Sequence, residues 1–174
     1  MFLQQLINLF EEKNNKKVLE KGNFLIQEGQ TETNIYYIKK GAVRVFHLTD
    51  AEEQTIRFGY DGSIINSLSS FIQESPSEFY IDAVRKSTVL VLSKNDLTEL
   101  VNVTVENTKA YNTFLEVVIT QQIERELDLL TISPSQRLER VLKRSPNLFQ
   151  QVPLKYIASY LRMTPETLSR VRKS

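Results

Sequence analysis

Glu166, Ser169, Arg170 and Lys173 recur at i, i+3, i+4 and i+7, the spacing that sets four side chains on one face of an α-helix. Their types suit the edge of a base pair. An arginine's planar fork matches O6 and N7 of guanine, and a carboxylate accepts from the N4 amine of cytosine, so Arg170 and Glu166 are the candidate base readers. Lys155, Arg162, Thr164, Ser169, Arg172 and Lys173 add the cations and hydroxyls that grip phosphates and set register without reading sequence. Catalytic chemistry has little to stand on. The chain has no cysteine and one histidine, His47. Disulfides, zinc fingers and cysteine-held iron–sulfur clusters are thereby excluded, as is the histidine-rich metal centre of a cupin-type enzyme. No glycine-rich phosphate loop or nucleophile motif is present, and we expect a non-enzyme without a metal.

Base reading needs a helix that protrudes from a small core, and Pro153 to Lys173 supplies the pattern of two short helices joined by a tight turn. Apolar Ile157, Leu161, Met163, Leu168 and Val171 stand where a helix-turn-helix must face inward, and small Ala158 stands where the two helices cross. Thr164 can cap the second helix, Pro165 suits its first turn, and Glu166 favours the positive end of its dipole. Arg162 takes a turn position that favours glycine; a left-handed backbone there costs a non-glycine residue roughly 1–2 kcal/mol.

Charge is distributed to match. Residues 133–174 hold nine Lys/Arg against Glu139 and Glu166, a net of +7, while the whole chain sums to +1 and residues 1–132 to −6. A basic tail on an acidic body points to a polyanion partner. The opening MFLQQLINLF lacks a preceding basic region and a cleavage site, so it reads as an amphipathic helix and not a signal peptide. No stretch approaches the roughly 20 apolar residues of a membrane span. A soluble, cytoplasmic protein is expected.

The preceding elements change character along the chain. Residues 1–13 predict a helix with Leu3, Leu6, Ile7 and Phe10 on one face. Short β-rich runs follow at 24–26, 35–38, 42–46, 54–58, 80–84 and 88–92, punctuated by Gly22, Gly29, Gly41, Asp61-Gly62 and Pro76, which indicates an antiparallel sandwich or jelly roll. Residues 106–130 form one long helix candidate without proline or glycine. It carries two apolar stripes: Leu115, Ile119, Ile123, Leu127 and Leu130, and Tyr111, Phe114, Val118 and Leu129. One stripe serves the chain's own domain; two imply a second copy, with Tyr111, Phe114, Leu115, Val118, Ile119 and Ile123 at the seam. Thr131-Ile-Ser-Pro134 breaks the helix. The predicted fold is α+β: a β-roll over 1–105, a long dimerisation helix and hinge over 106–132, and a helix-turn-helix domain over 133–174.

In this order of elements, in Tyr37-Ile-Lys-Lys-Gly-Ala-Val-Arg-Val and in Ile157-Ala-Ser-Tyr-Leu…Thr164-Pro-Glu-Thr-Leu-Ser-Arg-Val-Arg, the chain resembles the Crp/Fnr family of bacterial transcription regulators. The resemblance implies a cyclic-nucleotide-binding-like roll, a homodimer along the long helix, palindromic duplex DNA and RNA polymerase as partners, and a small-molecule effector between roll and helix. Tyr60, Ile65, Ser67, Phe79 and Gln121 are its candidate walls. The family's cyclic-AMP binders carry a Gly-Glu pair and an Arg-Ser pair in their phosphate turn. Here Asn66-Ser67 and Ser77-Glu78 occupy those places, leaving no cation for the phosphate and no glutamate for the ribose, so no cyclic-AMP cofactor is expected. Pro165 replaces an arginine base reader of the best-known cyclic-AMP regulators, so the half-site should differ from theirs. No strand pair for a wing is legible over 134–152 or after the last helix, and either a reduced, wingless DNA-binding domain or a chain cut short is expected. The rival reading is a sensor or protein-interaction module that kept the fold and lost specific DNA binding.

Overall fold

The computed structural model describes residues 2–50 and 52–173. The first helix, α1, spans Phe2–Lys13; Met1 of the predicted element lies outside the described residues. Its buried face is Phe2, Leu6 and Phe10, whereas Leu3 is exposed and Ile7 half-buried, so the inward stripe is rotated from the expected one.

Eight strands follow: β1 (Lys16–Leu19), β2 (Phe24–Ile26), β3 (Asn34–Lys40), β4 (Ala42–Leu48), β5 (Glu53–Tyr60), β6 (Ile64–Ile65), β7 (Tyr80–Ala83) and β8 (Ser87–Ser93). They form two antiparallel sheets, ordered β1-β8-β3-β6 and β2-β7-β4-β5. Leu19, Ile38, Val43, Val45, Ile81 and Val89 fill the space between them. Six of the strands fall on the predicted runs. β1 and β6 do not: the first is Lys-Lys-Val-Leu with three exposed residues, and the second is two residues long. The β3–β4 turn requires Gly41. Its φ is +111°, and a Cβ there would meet the Ser87 backbone at 2.6 Å.

A short helix, α2 (Leu68–Gln73), sits between β6 and β7. α3 (Lys94–Asn102), capped by Ser93, leads to the long α4 (Val105–Leu130), capped by Thr104 through the Asn107 amide. After the break come α5 (Pro134–Arg144), α6 (Leu148–Gln151), α7 (Leu154–Tyr160) and α8 (Pro165–Lys173). No helix of the described residues is long and apolar enough to cross a membrane.

The C-terminal helices are anchored on the roll. Their core (Leu138, Val141, Leu148, Ile157, Leu161 and Leu168) is continuous with Ala42 and Val84 of the roll. β4 therefore buries both faces. Arg44, 3% exposed, lies flat between the Phe46 and Tyr156 rings, 4.1 Å from each centroid, and its charge is met by Asp82 and Glu53. Arg125 of α4 stacks 3.7 Å over the Tyr160 ring and bonds the Tyr160 carbonyl.

Candidate nucleic-acid interface and effector cavity

α7 and α8 meet as the spacing predicts. Ile157, Ala158, Leu161 and Leu168 are buried at 1% exposure or less, and Met163 and Val171 pack against them. Arg162 has φ +53°, the left-handed conformation expected of that turn. Thr164 Oγ1 accepts from the Thr167 amide at 3.2 Å, capping α8 with Pro165 just inside. Glu166, at the start of α8, has its carboxyl held below its ordinary range by its own backbone N–H and the Thr164 hydroxyl. At neutral pH it is an acceptor, as a cytosine N4 amine requires.

Pro165, Glu166, Ser169, Arg170 and Lys173 line one shallow surface depression, so both candidate base readers share a face with two of the phosphate candidates. Arg162 and Thr164 are exposed on the turn beside it. Lys155 and Arg172 stand on aromatic rings, Lys155 4.6 Å over Tyr156 and Arg172 4.7 Å over Phe149, which pre-orients both cations.

The basic tail is less free than its net charge suggests. Arg140 and Arg144 of α5 pair with Glu124 and the fully buried Asp128 of α4. Arg137 donates to the Thr131 carbonyl at 2.7 Å and the Leu161 carbonyl at 2.6 Å, closing the ends of α4 and α7. These three cations weld the C-terminal helices to α4. Periodicity had no means of separating them from outward-facing cations, because the acidic partners of Arg140 and Arg144 lie twelve or more residues away.

α4 divides its apolar residues differently from the two predicted stripes. Tyr111, Phe114, Leu115 and Val118 turn onto the roll and are half-buried. Ile119, Ile123, Leu127 and Leu130 stay outside at 59, 52, 44 and 75% exposure. The reason is the polar set Arg125 and Asp128, which takes the inward face of the helix's second half.

A cavity of about 50 Å³ lies between the roll and the first half of α4, with Ile65, Leu68, Phe71, Tyr111 and Phe114 among its walls. Of the five expected wall residues, only Ile65 reaches it. Tyr60 packs toward the C-terminal core, Phe79 against the roll's inner core, and Gln121 is exposed on α4. Ser67 is buried and spent on Ser77, with the two Oγ atoms 2.7 Å apart. Ser77 also bonds both backbone groups of Phe79. The two places where the resemblance put a glutamate and an arginine are thus filled by small hydroxyls that satisfy each other. Arg57 and Asn66, which do line the cavity, were missed. A charged residue on a strand reads as solvent-facing until the third dimension is known.

The family profile described as cyclic nucleotide-binding domain matches residues 16–103. The chain belongs to the cyclic nucleotide-binding domain family. Beyond that domain, the long helix and the C-terminal helices share their arrangement with solved structures. The chain superposes on FixK2 from Bradyrhizobium japonicum with a TM-score of 0.77 at 18% identity, covering 91% of this chain and 82% of that one. The regulator CLP of Xanthomonas campestris gives 0.69 at 15% identity, covering 96% and 88%. In sequence it is similar to the anaerobic regulatory protein of Bacillus subtilis (strain 168), 29% identical over 93 residues, which are 53% of this chain. The aligned segment spans 39% of that relative's length.

Proposed function

We propose that this cyclic nucleotide-binding domain protein is a sequence-specific, DNA-binding transcription regulator of the Crp/Fnr type that does not answer to cyclic AMP. The observation that carries the reading is α8: capped by Thr164, seated through the fully buried Leu168, and presenting Glu166, Ser169, Arg170 and Lys173 on one outer face. Arg170 reads guanine and Glu166 cytosine, while Lys155, Arg162, Thr164, Ser169, Arg172 and Lys173 hold phosphates. The exposed strip Ile119, Ile123, Leu127 and Leu130 supports a homodimer along α4. Two recognition helices then stand about 34 Å apart, one turn of DNA, and the operator is palindromic. RNA polymerase is the expected further partner. The Ser67–Ser77 pair supports indifference to cyclic AMP, because a cyclic phosphate there meets no cation. CLP, described as responsive to cyclic di-GMP, illustrates that the fold serves other effectors.

The test is selection of duplexes from a random library, followed by anisotropy titration at several salt concentrations with wild type and Arg170→Ala. A palindrome with G·C in each half-site, a steep salt dependence, and a loss of about 1–3 kcal/mol in the variant are expected. Weak, unselective binding unchanged by the substitution sinks the proposal. It would favour the module that lost DNA binding, a reading supported by the internal pairing of Arg137, Arg140 and Arg144.

A further inference from the structure

Arg57 stands out among the cations of the roll. It lines the cavity under α4 from β5, yet its guanidinium makes no hydrogen bond or ion pair among the described residues. Arg44, one strand away, has Asp82 and Glu53. Burial pushes the Arg57 guanidinium below its ordinary range, with only the Tyr160 phenol acting in the opposite direction. A partly desolvated cation without a counter-charge is costly, and the cost is relieved when an anion arrives from outside. Asn66 lines the same cavity, and its side-chain amide likewise makes no hydrogen bond among the described residues. The remaining walls are apolar apart from the Tyr111 phenol, and include Leu68 and Phe71 of α2 and Phe114 of α4. One cation and one amide converging in a greasy cleft make the recognition pattern of a molecule with an anionic head and an apolar tail.

Size narrows the class. About 50 Å³ is far below the roughly 300–1,000 Å³ of pockets that hold nucleotides or drug-sized ligands. It corresponds to about four water-sized positions, at roughly 10–15 Å³ each. We propose that the cavity between β5, α2 and α4 binds a small apolar carboxylate of the short-chain fatty acid class. Its carboxylate sits on Arg57, within reach of the Asn66 amide, and its tail lies against Phe71 and Phe114. The next residue on the strand, Phe58, packs on Tyr160 of α7 with ring centroids 5.2 Å apart. Occupancy is thereby felt one residue away from the C-terminal helices. The site itself is independent of DNA binding; only its regulatory use rests on the function proposed above.

Calorimetry on the full chain with propionate, butyrate and valerate, each beside its neutral amide, tests the site. The acids should give saturable binding at one per chain, and the amides should bind about tenfold to a hundredfold more weakly, since the charge-assisted bonds are lost. Arg57→Met should abolish the preference for acid over amide, and Arg57→Lys should keep part of it; circular dichroism melting checks that both variants fold. Acid and amide binding alike, or acid affinity unchanged in Arg57→Met, overturns the proposal. So does an absence of carboxylate binding together with a dimer that falls apart in Arg57→Met, because the counter-charge would then come from a second copy of the chain. Carboxylate binding in a protein that fails to select DNA would leave this site standing and remove the regulator reading.

Discussion

Replacing Ser159 with alanine should loosen the C-terminal helices from the roll by a calculable amount. β5 is the outer strand of its sheet and, among the described residues, pairs only with β4. An outer strand leaves alternate N–H and C=O groups without partners. Ser159 of α7 closes that edge: its hydroxyl accepts from the Thr55 amide at 3.0 Å and donates to the Glu53 carbonyl at 2.9 Å. The two bonds differ in worth. Glu53 is exposed, so its carbonyl turns to water at little cost. Thr55 is fully buried, and an amide left bare there costs about 1–3 kcal/mol. We expect a loss of about 2 kcal/mol, equivalent to a roughly 30-fold faster opening of that edge. Amide hydrogen exchange at Thr55, read by NMR beside urea unfolding, measures it. Ser69→Ala, at an exposed position, is the control and should stay within about 0.5 kcal/mol of wild type. Unchanged Thr55 protection, or a loss below about 0.5 kcal/mol, would refute the claim that this hydroxyl holds the two parts together.

Two further outcomes are expected. Arg137→Met should free the Thr131 and Leu161 carbonyls and cost about 1–3 kcal/mol, visible as faster proteolysis between Thr131 and Pro134. Glu32 tests the roll: it is 1% exposed, and burial raises its carboxyl above the ordinary range, partly offset by the Asn34 amide and the Tyr36 hydroxyl. A carboxyl whose folded value lies above its unfolded one favours the protonated native state, so stability should fall as pH rises from the ordinary carboxylate value through the raised one. Glu32→Gln should lack that fall, and the difference between the two urea-stability profiles over pH isolates it. Parallel profiles would remove Glu32 from the account.

What local physics could decide was legible in the chain. Thr164-Pro165-Glu166 starts a helix by capping, ring geometry and dipole, all within one turn, and the buried set from Ile157 to Leu168 follows from helical period alone. The left-handed Arg162 was readable from its place in the helix-turn-helix pattern, against its own local preference. Six of the strands announced themselves by apolar, β-favouring runs between turn residues. β1 and β6 did not: the first is half lysine and the second only two residues, so both are held by their sheet neighbours and not by their own composition.

Tertiary structure decided which charges are at liberty. Arg137, Arg140 and Arg144 counted toward a basic tail until Thr131, Glu124 and Asp128 were found beside them. It also decided the inner surface: Ser67 and Ser77, ten residues apart, spend their hydroxyls on each other, while Arg57 and Asn66 reach the cavity without a partner. Helix starts and amphipathic faces depend on neighbours within a turn or two, which the chain order specifies directly. Pairing, burial and vacancy depend on which distant residues the packed sheets and helices bring within about 3 Å, the reach of a hydrogen bond, and only the folded molecule sets that.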